Sequence, residues 1–267
     1  MNEIGVVGLG VVGGALKEAL EARGIGVAGY DPYLGVGAPE RLSGCSIVFL
    51  CVPTPSAPGG EFDTTAVWKA VRDVEADLAD GTIIAVKSTV PPGTSDGLAF
   101  DFPRFEFASM PEFLVAARPV ESLTKPDRIL IGARTARVAE AIVDTMRRIA
   151  PGAPILVLSP IEAELAKLFS NAMLAAKVSM ANELALICEK FGVAWANVQP
   201  AVGMDRRIGP DHLTVTPERG FGGGCFPKDL NGLIAAAAQA GYDASLLREV
   251  SAFNNRVRAD ASETAER

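Results

Sequence analysis

Three groups of side chains in this sequence have the type and spacing to do chemistry. In GFGGGCFPKDL, residues 220–230, Cys225 follows a glycine-rich turn and precedes a Pro-Lys-Asp that opens a helix. A thiol just ahead of a helix N-terminus is favoured as thiolate by the exposed N–H groups and the helix dipole. Lys228 adds positive charge beside it. Asp229 falls in the first turn, where a carboxylate either caps the helix or stands within a turn of a nucleophile. Small cysteines also simply fill loops, so these residues alone leave a reagent and a packed side chain both open. In the second group, Lys167 and Asn171 of KLFSN lie one turn apart on one face of a helix. The third, GLGVVG, is a glycine pattern suited to a pyrophosphate.

That pattern comprises Gly8, Leu9, Gly10, Val11, Val12 and Gly13, and it follows a β-branched run and opens a helical one. Gly8 permits the tight turn, Gly10 lets a pyrophosphate approach the backbone, and Gly13 lets the helix pack closely on the sheet. Asp31 ends the second strand 18 residues after Gly13. There a carboxylate can accept from an adenine ribose 2′-OH and repel a 2′-phosphate, so the expected cofactor is NAD rather than NADP.

The elements that must carry these groups alternate. EIGVVG, GVAGYD, CSIVFLC, TIIAVKSTV, FEFASM, RILIGA and PILVLS read as strands, with helices from 11 to about 23, 64–78 and 136–149. The expected fold class is α/β, a doubly wound Rossmann-type parallel sheet over residues 1–159. After Pro160 apolar residues recur at helical intervals for some thirty positions. A helical domain, residues 160–267, is expected there, with a long first helix and shorter ones at WANVQPAVG, at KDLNGLIAAAAQAG and from about Ser245.

With 267 residues, 49% hydrophobic and 21% charged, the chain can bury a full core. Its net charge of −7, with no basic block, excludes nucleic acid as an expected partner. No segment has the length or apolarity of a membrane span or the layout of a signal peptide, so the cytoplasm is the expected location. Cys45, Cys51, Cys188 and Cys225 lack the paired spacing of a zinc site, and no metal is expected. With His212 the single histidine, proton transfers fall to Lys, Asp, Glu or water.

GFGGGCFPKDL resembles the active-site cysteine segment of the UDP-glucose/GDP-mannose dehydrogenase family, with Gly224 where that family usually has serine. GLGVVG with Asp31, CVPTP, KSTVPPGT, PEFL, KPDRILIG, the long AELAKLFSN segment and VGMDRRIG resemble the family's other blocks, in its order. The resemblance implies a four-electron oxidation with two NAD. A nucleotide sugar's C6 alcohol becomes an aldehyde, then a cysteine thiohemiacetal, then a thioester that water hydrolyses to a uronate.

It further implies Cys225 as nucleophile, Lys167 and Asn171 as holders of the C6 oxygen, and Glu112 as acid/base in thioester hydrolysis. Asp229 would help with Lys167 and a water, and Thr89 would orient that water or the nicotinamide. Val52, Pro53, Thr54, Ser88, Thr89 and Val90 match backbone contacts to the cofactor, and Lys228 a cofactor-side lysine. Substrate contacts are implied for Glu112, Phe113, Leu114, Lys167, Asn171, Gly222 and Arg207. Arg207 is expected to reach the sugar nucleotide across a homodimer built on the long helix.

Three departures accompany the resemblance. Family members continue into a second Rossmann-like domain that closes over the nucleotide, whereas this chain stops at Arg267, so a separate chain supplying that domain is a further expectation. Ala116 stands where a carboxylate usually follows Glu112 by four residues. GPDHLTVTPERGFGG differs from the usual nucleotide loop, with His212 for an aromatic residue and Thr214 for a basic one. A non-catalytic NAD-binding paralogue or subunit therefore stands as an alternative function, and a 3-hydroxyacid dehydrogenase as a third.

Overall fold

Every residue of β1 (Ile4–Val7), β3 (Ile47–Leu50) and β4 (Ile83–Val86) is buried, as expected of parallel strands covered on both faces. The computed structural model describes residues 4–115 and 117–265. Ala116, singled out in the sequence, lies outside the described residues. Seven strands form one sheet in the order β2-β1-β3-β4-β5-β6-β7, with β2 at Val27–Tyr30, β5 at Glu106–Ser109, β6 at Ile129–Ala133 and β7 at Ile155–Leu158. All neighbours pair in parallel except β5 with β6, where Ser109 lies opposite Gly132. The sheet is thus the mostly parallel, Rossmann-type one expected, with the β5–β6 pair its antiparallel departure. The connection from β5, residues 110–128, returns the chain to run back alongside it, so no crossover to a parallel neighbour is needed.

The period-two pattern sorts the core into two layers. Ile4, Val6, Ile47, Phe49, Ile83 and Ala85 face one side, where Leu16 and Leu20 of α1 (Val11–Glu21) and Ile142 and Met146 of α5 (Ala136–Ile149) cover them. Val7, Val48, Leu50, Ile84 and Val86 face the other, under Val67, Val71 and Val74 of α2 (Thr65–Val74) and Leu98 of α3 (Thr94–Asp101). A short α4 (Pro119–Thr124) and a 3-10 turn at Pro39–Leu42, neither foreseen, complete these layers.

α6 (Pro160–Lys190) is one helix of 31 residues, about 46 Å long. It is followed by α7 (Trp195–Gly203), α8 (Phe226–Gln239) and α9 (Ser245–Ala265). The chain divides into two compact units, Met1–Pro55 with Phe62–Lys167 and Ser56–Glu61 with Leu168–Arg267. This division falls inside α6. The first turns of α6 belong with the sheet because Gly132 of β6 has no Cβ: one would stand 2.7 Å from the Pro160 Cα and 2.8 Å from the Ala163 Cβ. In the second unit Ala181 and Ala185 of α6 pack with Trp195 and Leu213, and the Trp195 indole donates to the Leu213 carbonyl at 2.9 Å.

Candidate active site

The glycine pattern sits where the strand order reverses, after the carboxyl ends of β1 and β3, the usual ligand crevice of such sheets. At Gly13 a Cβ would come within 1.8 Å of the Gly8 carbonyl oxygen, so only glycine lets α1 lie this close to the turn. At Gly10, by contrast, a Cβ would meet nothing within 4 Å. Gly10 is the N-cap of α1, with no side-chain cap and no acidic residue in the first turn. Open space in front of uncapped helix N–H groups is what a pyrophosphate requires, and the residues fit a dinucleotide. Asp31 is buried, its Oδ2 accepting from Leu9 N at 2.7 Å and its Oδ1 from Tyr33 N and Leu34 N at 2.9 and 3.1 Å. The carboxylate is therefore fixed against the turn that Gly8, Leu9 and Gly10 form; Val11 and Val12 begin α1.

The other predicted cofactor segments are tied to each other. Thr54 Oγ1 donates to the Thr89 carbonyl at 2.6 Å, and Ser88 Oγ to the Val52 carbonyl at 2.6 Å. Val52, Thr54 and Val90 are buried, and Pro53 is exposed. Glu164, a buried carboxylate in the first turns of α6, accepts from Gly93 N (2.6 Å), Ser95 N (2.9 Å) and Ser95 Oγ (2.7 Å) at the start of α3. It holds the segment that follows Thr89 to the helix that carries Lys167. Burial pushes the Glu164 carboxyl up, against the hydrogen bonds from Ser95 and Gly93.

Lys167 forms a largely buried ion pair with Glu112, Nζ to Oε1 3.2 Å. The other carboxylate oxygen of Glu112 accepts from Leu114 N at 2.5 Å. Phe113 sits beneath two cations, with the Arg128 guanidinium 4.2 Å and Lys167 Nζ 5.1 Å from its ring centre. Behind Glu112 is a cavity of about 30 Å³, room for one water, lined by Lys87, Glu112, Phe113 and Arg128 among others. Lys87 is itself buried. Burial pushes its ammonium down, while Cys51 and Glu112 push it up. The Cys51 thiol is pushed up to about 12 by burial, with Lys87 opposing.

In the second unit Asn171 Nδ2 donates to Asp229 Oδ2 at 2.5 Å, both residues buried, and Lys228 Nζ binds Asp229 Oδ1 at 2.7 Å. Cys225 is exposed and is the N-cap of α8, which starts at Phe226, one residue before the expected Pro227. The ion pair of Lys167 is with Glu112, and Asp229 holds Asn171 and Lys228. Arg207 is exposed and bidentate on Asp205 (3.0 and 2.6 Å). Gly222 is exposed in the turn before Cys225.

A cavity of about 950 Å³ in the same unit, lined by Trp195, Gln199, Thr214, Val215 and Arg219 among others, includes none of the predicted site residues. Among the described residues no cluster of His, Cys, Asp or Glu could hold a metal, and no helix is long and apolar enough to cross a membrane. The sequence reading missed Lys87, Glu164 and Arg128, because a lone lysine at a strand end or a glutamate in a long helix carries no signal until its partners are known.

Residues 36–149 match the NAD binding domain of the UDP-glucose/GDP-mannose dehydrogenase family, and residues 161–256 match its central domain. The solved structure of a UDP-glucose dehydrogenase from Pyrobaculum islandicum superposes with a TM-score of 0.87 at 34% identity, over 97% of this chain and 68% of that one. The chain belongs to the UDP-glucose/GDP-mannose dehydrogenase family. Its cofactor is NAD, and its Rossmann domain is that of an oxidoreductase family.

A UDP-glucose 6-dehydrogenase of Pseudomonas aeruginosa is 37% identical over 232 residues, 81% of this chain and 50% of that protein. The chain spans about half the length of the curated relatives it matches. A Mycobacterium tuberculosis 3-hydroxyisobutyrate dehydrogenase also superposes, with a TM-score of 0.74 over 98% of this chain and 95% of that one. At 18% identity that likeness carries the fold alone.

Proposed function

We propose that this dehydrogenase oxidises the C6 alcohol of a nucleotide sugar, UDP-glucose or a close analogue, to the uronic acid through a thioester on Cys225. The observation that carries the proposal is the exposed thiol at the N-cap of α8, four residues ahead of an Asp229 that is buried against Asn171. A second supports it: Glu112 and Lys167 form a carboxylate–ammonium pair away from bulk water, one helical turn along α6 from Asn171.

The Gly8–Gly13 turn and Asp31 would hold NAD, which would supply the hydride acceptor for the two oxidations. The Lys167 ammonium and Asn171 amide stabilise the C6 oxygen as it loses its proton. The Cys225 sulfur adds to the aldehyde carbon, and loss of the remaining C6 hydride leaves an acyl group on sulfur. Glu112 takes a proton from the attacking water, the C–S bond breaks, and the thiol is regenerated. Per sugar, one water is consumed, and two NADH, a carboxylate and three protons form. Asp229 fixes the Asn171 amide and the Lys228 ammonium, and Thr89 lies on the cofactor side, its carbonyl held by Thr54.

The reading includes a homodimer through α6. Phe169, Met173, Met180 and Ile187 are exposed at spacings of 4, 7 and 7, which keeps them on one side of α6. Arg207, on the surface with Asp205, would then serve a substrate bound to the partner copy.

The test is to incubate the chain with NAD and a panel of UDP- and GDP-sugars and follow NADH. Two NADH per sugar, abolished by Cys225→Ser, is the expected result. NAD binding without turnover on any sugar contradicts it and favours a non-catalytic NAD-binding subunit. Turnover untouched by the substitution points to hydroxyacid chemistry.

A further inference from the structure

The turn that delivers Cys225 is gripped by side chains from two helices. Asn254 of α9, 3% exposed, pairs with both backbone groups of Phe221: its Oδ1 accepts from Phe221 N at 2.6 Å and its Nδ2 donates to the Phe221 carbonyl at 3.1 Å. Asn182 of α6, 1% exposed, accepts from Gly220 N at 3.0 Å while its own amide donates to the Val178 carbonyl at 2.9 Å. Arg258, one turn beyond Asn254, donates to the Arg219 carbonyl at 3.2 Å.

The glycines of the turn answer to these residues. A Cβ on Gly220, whose φ is +58°, would stand 2.3 Å from Asn254 Oδ1, and one on Gly222 would stand 3.0 Å from the Arg258 guanidinium. Arg219, with φ of +55°, is held in a backbone conformation that a non-glycine residue seldom adopts. Conformations of this kind persist only where the surroundings over-determine them.

We infer that Asn254 is a positioning residue for the Cys225 nucleophile. Its amide mimics a strand partner for Phe221, and with Asn182 and Arg258 it sets the path of residues 219–222 into the N-cap of α8. The inference rests on the proposed role of Cys225. It touches neither NAD nor substrate, because Asn254 reaches only the backbone of the turn.

The experiment compares the full chain with Asn254→Ala and with the nearly isosteric Asn254→Asp, which keeps the acceptor toward Phe221 N and sets an oxygen against the Phe221 carbonyl. In Asn254→Ala, hydrogen exchange at the Phe221 amide should speed up by about ten-fold, the worth of one lost buried hydrogen bond. With UDP-glucose, kcat should fall by about ten- to a hundred-fold at an unchanged KM for NAD, as for a misplaced nucleophile. Asn254→Asp should lie between wild type and Asn254→Ala, and it carries the test if the alanine variant does not fold. An unchanged kcat overturns the inference, and so does a loss of kcat matched by an equal loss of NAD affinity. If wild type turns over no nucleotide sugar, the functional reading has failed, and exchange with the Cys225 alkylation rate decides the clamp. Both unchanged in the variants overturns it, and both altered supports it.

Discussion

Asn171 on α6 donates a 2.5 Å hydrogen bond to the carboxylate of Asp229 on α8, with both side chains buried. A buried carboxylate that loses a donor bears the desolvation cost, so Asn171→Ala should lower unfolding stability by about 1–3 kcal/mol. Asn171→Asp should cost more at pH 7, about 3–5 kcal/mol, because two carboxylates then share the site. Denaturant titrations of wild type and both variants at pH 7 would show this order.

The two glycines that frame the dinucleotide turn should part company. Gly13→Ala forces a methyl group to within 1.8 Å of the Gly8 oxygen and should lower the melting temperature by several degrees, with NAD binding lost as well. Gly10→Ala meets open space, so its melting temperature should stay near wild type. Its NAD affinity, measured by calorimetry, should still fall by about ten-fold or more, because the methyl occupies the approach to the α1 N-terminus.

Glu164 gives a pH dependence with a defined sign. Burial raises its folded-state pKa. The stability it contributes is therefore fully present below the ordinary glutamate value of about 4.3 and declines as pH rises through the raised value. Glu164→Gln has no such titration. The advantage of wild type over this variant in urea unfolding should be largest near pH 4 and shrink toward pH 7. An advantage that grows with pH would contradict the assignment.

Much of this molecule is legible in the sequence. The alternation of strands and helices, the long α6 and the glycine turn after β1 follow from periodicity and glycine placement, which are local properties. The antiparallel β6, the short α4 and the α6 turns that belong with the sheet are not, since each is decided by packing partners far away in the chain. At the candidate site, residue types were readable and partners were not. Lys167 and Asn171 share a helix face, yet nothing local says that one pairs with Glu112 and the other with Asp229. Asn254 and Arg258 were invisible for the same reason, although the glycines at 220 and 222 are the imprint they leave.

The most direct test of the account is to catch the acyl group on sulfur. Glu112→Gln, which cannot take a proton from the attacking water, should be incubated with NAD and UDP-glucose, digested without reductant, and the peptide carrying Cys225 weighed. The account predicts an adduct of the oxidised sugar nucleotide on Cys225, formed with two NADH per chain and absent without NAD. Sustained NADH production by the wild-type chain with an unmodified Cys225 in Glu112→Gln would contradict it.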